Sequence, residues 1–247
     1  MVIYLMDITI PDIESLSHRV SEERLEQIGK FRFETDKRRG LAAEALLNHG
    51  LNRLCPGLKT PVSLTRDENG KPHVILTEDE KMLCVNYGLL QEKEGEIAFS
   101  LSHAGNYAVC AIADSGESAV GVDIERHERN PGNIAEHFFC RNEVERIENS
   151  KDFYTYWTLK ESFIKAIGLG LKLPLDSFEV IISDGGLAEY KQDADRENRY
   201  FGRVYGWPEG YTVSACAPGR KDCFPEKIEE VPPDALEKIT MTESLPL

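Results

Sequence analysis

The sequence predicts an α+β protein of two similar-sized lobes, and three observations carry that expectation. Both halves of the 247-residue chain contain strand-like and helix-like segments. A short polar turn, "DSGES", breaks the pattern near the middle, at residues 114–118. No low-complexity tract or sequence-level repeat intervenes. A chain of this length can bury the cores of one large domain or of two of about 120 residues each. The lobes are expected at 1–115 and 116–218, with a C-terminal edge and polar tail over 219–247.

The elements follow in order. "MVIYLMD" has no basic region before its short apolar stretch and no cleavage site after it, so it reads as a strand, not a signal peptide. Ser21 opens "SEERLEQIGKFRF" as an N-cap with acids in the first turn. "DKRRGLAAEALLNHGLNRL" is a second helix. Asn69–Gly70 in "TRDENGKPHVIL" marks a turn before a short strand, and "EIAFSLSHAGNYAVCAIA" reads as two strands around "HAGN". In the second half, "AVGVDIE" is a strand, and "NIAEHFFCRNEVERIEN" and "KDFYTYWTLKESFIKAIG" are helices, the latter ended by Gly168. "LDSFEVIIS", "RYFGRVYG" and "YTVSACA" form a closing antiparallel sheet.

Apolar residues make up 41% and charged residues 29%, the balance of a soluble globular protein. No run of about 18 apolar residues predicts a membrane span, and a cytoplasmic protein is expected. None of the six cysteines lies in a C-x-x-C pair, so reduced buried thiols are expected over a disulfide framework or a zinc site. The net charge of −14 argues against nucleic acid as a partner. Positive charge is nevertheless concentrated in "GKFRFETDKRRG", which carries Lys30, Arg32, Lys37, Arg38 and Arg39. That island fits either a discrete anionic ligand or a solvated helix face.

Two segments depart from ordinary core patterning. In "AVGVDIE", Val120, Val122 and Ile124 share one strand face, and Gly121, Asp123 and Glu125 the other. Carboxylates at i and i+2 lie roughly 6.5–7 Å apart along the backbone and can converge on one cation, with Gly121 leaving room for a ligand. In the helix, Trp157, Glu161 and Lys165 form an i, i+4, i+8 stripe. Together these supply three acids and a lysine. Oxygen ligands suit Mg²⁺ or Mn²⁺ bound with a substrate phosphate, and the lysine would neutralise phosphate charge. His103, after Ser102 at a strand end, could meet a phosphate or be structural.

"FSLSHAGNYAVCAIA", "VGVDIE", "FFCRNEVERI" and "WTLKESFIKAIGLGL", with "NGKP" and "KFRF…DKRRGLAAEALL" upstream, resemble the 4′-phosphopantetheinyl transferases of the long, single-chain surfactin type over residues 1–218. The resemblance implies a pseudo-dimer of two α+β lobes with the active site in the cleft between them. It also implies transfer of phosphopantetheine from coenzyme A, the substrate, to a serine hydroxyl of an apo acyl- or peptidyl-carrier domain, with release of 3′,5′-ADP. Asp123, Glu125 and Glu161 would bind Mg²⁺ at the pyrophosphate. Glu161 would be the general base, Lys165 would hold the pyrophosphate, and Lys160 would assist it. Lys30 and Arg39 would hold the nucleotide phosphate, with Arg38 as the alternative to Arg39. Lys71 and Pro72 would lie beside the adenine, and Ser102 and His103 beside a phosphate. Glu143 matches a recurring acid of open role, and Trp157 would anchor the helix. A monomer is expected. At −14, peptidyl or polyketide carriers less acidic than those of fatty-acid synthesis should be preferred. A Mg²⁺-dependent hydrolase of coenzyme A or of a nucleoside diphosphate, and a non-catalytic binding module, remain the alternatives.

Overall fold

The computed structural model describes residues 1–10, 13–92, 95–114, 116–127, 132–192 and 199–237. The first half holds β1 (Val2–Asp7), α1 (Glu22–Gly29), α2 (Glu34–Leu54), β2 (Ser63–Arg66), β3 (Pro72–Ile75), α3 (Glu78–Asn86), β4 (Phe99–Ala104) and β5 (Tyr107–Ile112). The second holds β6 (Gly121–Arg126), α4 (Ile134–Phe138), α5 (Arg141–Val144), α6 (Ser150–Ile167), β7 (Phe178–Ile182), β8 (Leu187–Gln192), β9 (Tyr200–Tyr205) and β10 (Tyr211–Pro218). β11 (Glu229–Glu230) and α7 (Pro233–Glu237) follow. The strands form a four-stranded sheet, β11-β1-β5-β4, a five-stranded sheet, β6-β10-β9-β8-β7, and the separate hairpin β2-β3.

Strand alternation turns these sheets into layers. In the first, Ile3, Leu5, Val109 and Ala111 face the second sheet, where they meet Val122, Ile124, Val213 and Ala215 in one core. Tyr4, Met6, Cys110 and Ile112 face the other way, under α2. On the far side of the second sheet, Val180, Ala188 and Cys216 pack beneath α6 with Leu159 and Phe163. The order is therefore helix, sheet, sheet, helix. The Val122 amide ties the two sheets directly, donating to Ser100 Oγ at 3.0 Å.

Each long helix lies close on its sheet because a glycine is at the contact. On α2, a side chain at Gly50 would stand 2.4 Å from Ile112 Cδ1 and 2.7 Å from the Tyr4 ring. On β6, a Cβ at Gly121 would stand 1.8 Å from the Ser162 carbonyl oxygen and 2.7 Å from the Ala166 nitrogen. The space beside Gly121 thus belongs to the α6 backbone and not, as the sequence suggested, to a ligand.

Several expected elements differ in extent. "NIAEHFFCRNEVERIEN" is two short helices, because Phe139 and Cys140 adopt extended conformations between them. Phe139 turns into the core to stack on Phe153 at 5.4 Å, and Glu143 Oε2 accepts from the Cys140 amide. The sequence reading passed over α3, although Thr77 and Glu80 make a full capping box, and also β8 and β11. β11 pairs in parallel with β1, so the C-terminal edge returns to the first sheet; residues 238–247, expected as a polar tail, lie outside the described residues. All six cysteines are free thiols.

Two outcomes test this packing. Gly121→Ala forces α6 off β6 and is expected to cost about 1–3 kcal/mol or more, read as a Tm drop of about 2–12 °C. His49 on α2 is buried edge-on to Tyr4, with neither ring nitrogen hydrogen-bonded. Burial, then the charge of Arg53, holds its imidazole down to about 4. The unfolded chain takes up this proton near 6.5, so stability present above that pH is lost as pH falls from 6.5 towards 4. Urea melts of His49→Leu across that interval should show a flatter acid limb than the parent.

Candidate active site

The close seat of α6 on β6 aligns the helix stripe with the acid-bearing strand face. At one end, Lys165 donates from Nζ to Asp123 Oδ1 at 2.7 Å, Ser102 Oγ at 2.9 Å and the Val122 carbonyl at 3.2 Å. The Ser102 hydroxyl itself donates to Asp123 Oδ1 at 2.8 Å. At the other end, Trp157 lies beside Glu125 and its ring stacks on Phe153 at 5.7 Å. Glu161 lies between, half-buried. Lys165 therefore pairs with Asp123 on the neighbouring strand β6 and not with Glu161 along the helix, and its contact with Ser102 is the one that crosses to the first lobe.

Asp123 bears on the other two acids. Glu125 is pushed up to about 7 by burial, then by the charge of Asp123, with Glu161 adding to it and Lys165 opposing. Burial and then Asp123 also raise Glu161. Carboxylates held this close against repulsion favour a cation. Asp123 Oδ2 is buried without a hydrogen-bond partner, an oxygen lone-pair donor with nothing to accept from. That orphaned atom and the oxygen-only donor set fit a hard divalent ion such as Mg²⁺. Among the described residues, no three His, Cys, Asp or Glu side chains are gathered as they stand into a group that could hold a metal ion.

Beside them opens a cavity of about 460 Å³ between the first half's β4 and hairpin β2-β3 and the second half's α6. Ser102, His103, Glu161 and Lys165 line it, as do Lys71 and Pro72. Lys71 Nζ donates to the Ala166 carbonyl at 3.1 Å, which ties the hairpin to α6, and burial lowers its ammonium. His103 is held below the usual imidazole range by enclosure in the cleft and then by Arg39 and Lys165, although its edge is open to solvent. It is neutral at pH 7.

Other expected ligands lie elsewhere. Lys30 is exposed at the C-cap of α1, away from the cavity lining. Arg39 donates twice to the Gly105 carbonyl, at 3.0 and 2.7 Å, and pairs with Asp36, beside His103 but outside the lining. Arg38 turns away towards Glu14 and the Ile10 carbonyl. Instead, Arg24 and Arg66, which the sequence reading passed over, line the cavity. Their guanidinium groups are near enough that Arg66 adds to the lowering of Arg24 by burial. Arg24 was concealed among the acids of "SEERLEQ", and the fold of the hairpin is what brings Arg66 opposite it.

Lys160 corrects an expectation. Its side chain is fully buried in the core under α6, donating to Glu143 Oε2 at 2.9 Å and to the Leu175 and Phe178 carbonyls, each at 2.8 Å. All three ammonium donors are used, so none remains for a phosphate. The arrangement also gives Glu143 its role: its two oxygens take Lys160, the Cys140 amide and the Val180 amide.

Residues 119–216 match the 4′-phosphopantetheinyl transferase superfamily, and residues 9–115 match the 4′-phosphopantetheinyl transferase N-terminal family. The chain belongs to the 4′-phosphopantetheinyl transferase superfamily. It is 30% identical over 231 residues to the 4′-phosphopantetheinyl transferase ffp of Bacillus subtilis, covering 91% of this chain and 93% of that one. It is 30% identical over 218 residues to the 4′-phosphopantetheinyl transferase Sfp of Bacillus subtilis (strain 168), covering 86% and 87%. The human L-aminoadipate-semialdehyde dehydrogenase-phosphopantetheinyl transferase is 33% identical over 181 residues, covering 66% of this chain and 53% of that one. The two family matches meet at the turn between β5 and β6, so the cavity of this transferase is bounded by residues from both.

Removing Lys160 separates a structural lysine from a phosphate ligand. Lys160→Met leaves Glu143 buried and unpaired, with an expected cost of about 3–5 kcal/mol; adding Glu143→Gln should recover part of it in urea melts. The folded double variant should keep the parent KM for coenzyme A.

Proposed function

We propose that this transferase moves 4′-phosphopantetheine from coenzyme A to a serine hydroxyl of an apo acyl- or peptidyl-carrier domain, requires Mg²⁺, and releases 3′,5′-ADP. The observation that carries the reading is the alignment of the α6 stripe on β6, which brings three acids and Lys165 to the end of a cation-lined cleft. On a chain of net charge −14, Arg24, Arg66, Lys71 and Lys165 around one cavity favour a polyanion of the size of a nucleotide diphosphate. The lobes of this reading are 1–115 and 116–218, the segment after them returning to the first sheet. The enzyme acts in the cytoplasm as a monomer on carriers of nonribosomal peptide or polyketide synthesis, whose less acidic faces a chain at −14 repels less.

Asp123, Glu125 and Glu161 are the residues that would hold Mg²⁺, with Mn²⁺ an acceptable substitute. The ion, when bound, supplies charge neutralisation at the pyrophosphate. Lys165 and the cleft cations hold the diphosphate in line, and neutral His103 donates a hydrogen bond to a phosphate oxygen. The serine oxygen bonds to the β-phosphorus as the bond from that phosphorus to the bridging oxygen breaks. The serine proton passes to Glu161. The bridging oxygen departs on 3′,5′-ADP. Positioning and charge stabilisation carry the rate, as in other phosphoryl transfers.

Intact-mass spectrometry of an apo peptidyl carrier incubated with the protein, coenzyme A and Mg²⁺ tests this. A gain of one phosphopantetheine is expected, abolished by EDTA, and Glu161→Gln should lower kcat by about 10²–10⁴-fold. Breakdown of coenzyme A without transfer would identify a hydrolase. Binding of coenzyme A with no gain on any of several carriers would identify a binding module.

A further inference from the structure

We propose that Cys55 and Cys84 form a disulfide when oxidised by a peroxide, and that this bond staples one wall of the cleft. Cys55 caps the C-terminus of α2 and Cys84 lies in α3; their sulfurs are 3.7 Å apart and both side chains are fully buried. A disulfide holds its sulfurs at about 2.05 Å, so the pair must close from van der Waals contact, which modest rotations about both χ1 angles can supply. The thiols of Cys140 and Cys223 are engaged differently, each donating to backbone carbonyls.

The position of this pair in the chain gives the bond its consequence. The segment between the two cysteines, residues 56–83, contains hairpin β2-β3, which carries Arg66, Lys71 and Pro72 into the cleft. The hairpin is a sheet of its own, hydrogen-bonded to neither large sheet. Leu64 and Val74 pack its inner side on the first core, and Lys71 reaches α6. Its placement therefore depends heavily on its two flanks, α2 before it and α3 after it. Joining the flanks covalently removes conformational freedom from the segment between them.

The chemistry balances with one peroxide. One thiolate attacks a peroxide oxygen, the O–O bond breaks, and a sulfenic acid forms as hydroxide leaves. The second sulfur then displaces the sulfenic oxygen and the S–S bond forms. Two thiols and one hydrogen peroxide become one disulfide and two waters, the two electrons passing from sulfur to oxygen. Burial pushes both thiols up, Cys84 to about 12. Thiolate is scarce at neutral pH, so closure is slow there and quickens as pH rises. Hydrogen peroxide is small enough to enter through local opening of α3, a helix of nine residues.

The test uses the full chain, reduced and then exposed to hydrogen peroxide at neutral and mildly alkaline pH, alkylated, and analysed by peptide mapping and amide hydrogen exchange. Expected are a linked Cys55–Cys84 peptide lighter by two hydrogens, faster formation at the higher pH, and reversal by dithiothreitol. Exchange across residues 63–75 should slow by about tenfold on oxidation. Cys55→Ser and Cys84→Ser should each lose both effects, whereas Cys140→Ser should keep them. Alkylation of both Cys55 and Cys84 after peroxide would overturn the proposal, as would their separate over-oxidation. A linked peptide with unchanged exchange in the hairpin would overturn the staple. If a serine variant fails to fold, mapping of the parent and its reversal by reductant still decide. None of these readouts requires transferase turnover.

Discussion

The contact between the Gly121 backbone and α6 is the constraint on which the site depends. A Cβ there would lie 1.8 Å from the Ser162 carbonyl, so only glycine allows the helix to sit at this depth. At this depth Lys165 reaches Asp123 at 2.7 Å while Trp157 reaches Glu125, and Glu161 falls between the two acids. A helix farther out would leave three carboxylates facing water, where each would ionise without strain and none would be held for a common ion. The raised pKa values of Glu125 and Glu161 and the unpartnered oxygen of Asp123 are consequences of one steric fact.

Charge is distributed for opposite purposes on the two sides of α6. Lys160 and Lys165 are five residues apart and point to different surroundings. Lys160 is sealed in the core with Glu143 and two carbonyls, where it joins α5, α6 and the start of β7. Lys165 is half-buried at the cleft and holds Asp123 and Ser102, so it can exchange part of that bonding for an incoming phosphate. Acids dominate the surface of a chain at −14, while arginine and lysine gather around one cavity; such a field draws an anion to one place and discourages it elsewhere.

Local patterns made much of this legible in the sequence. The period-two alternation of Val120, Val122 and Ile124 against Asp123 and Glu125, the stripe of Trp157, Glu161 and Lys165, and the Gly168 stop are short-range features dictated by strand and helix geometry. So was the two-lobe α+β class. What depended on long-range packing was decided by the tertiary structure. A basic residue in a sequence has no direction, so the island around Lys30 and Arg39 resembled a phosphate clamp, while Arg24 and Arg66 acquire their position from the way α1 and the hairpin fold against β4. Lys160 and Lys165 look alike in "LKESFIK" because burial is a property of what packs on the helix. Gly121 looked like room for a ligand because the atom that fills the space belongs to a helix some forty residues later.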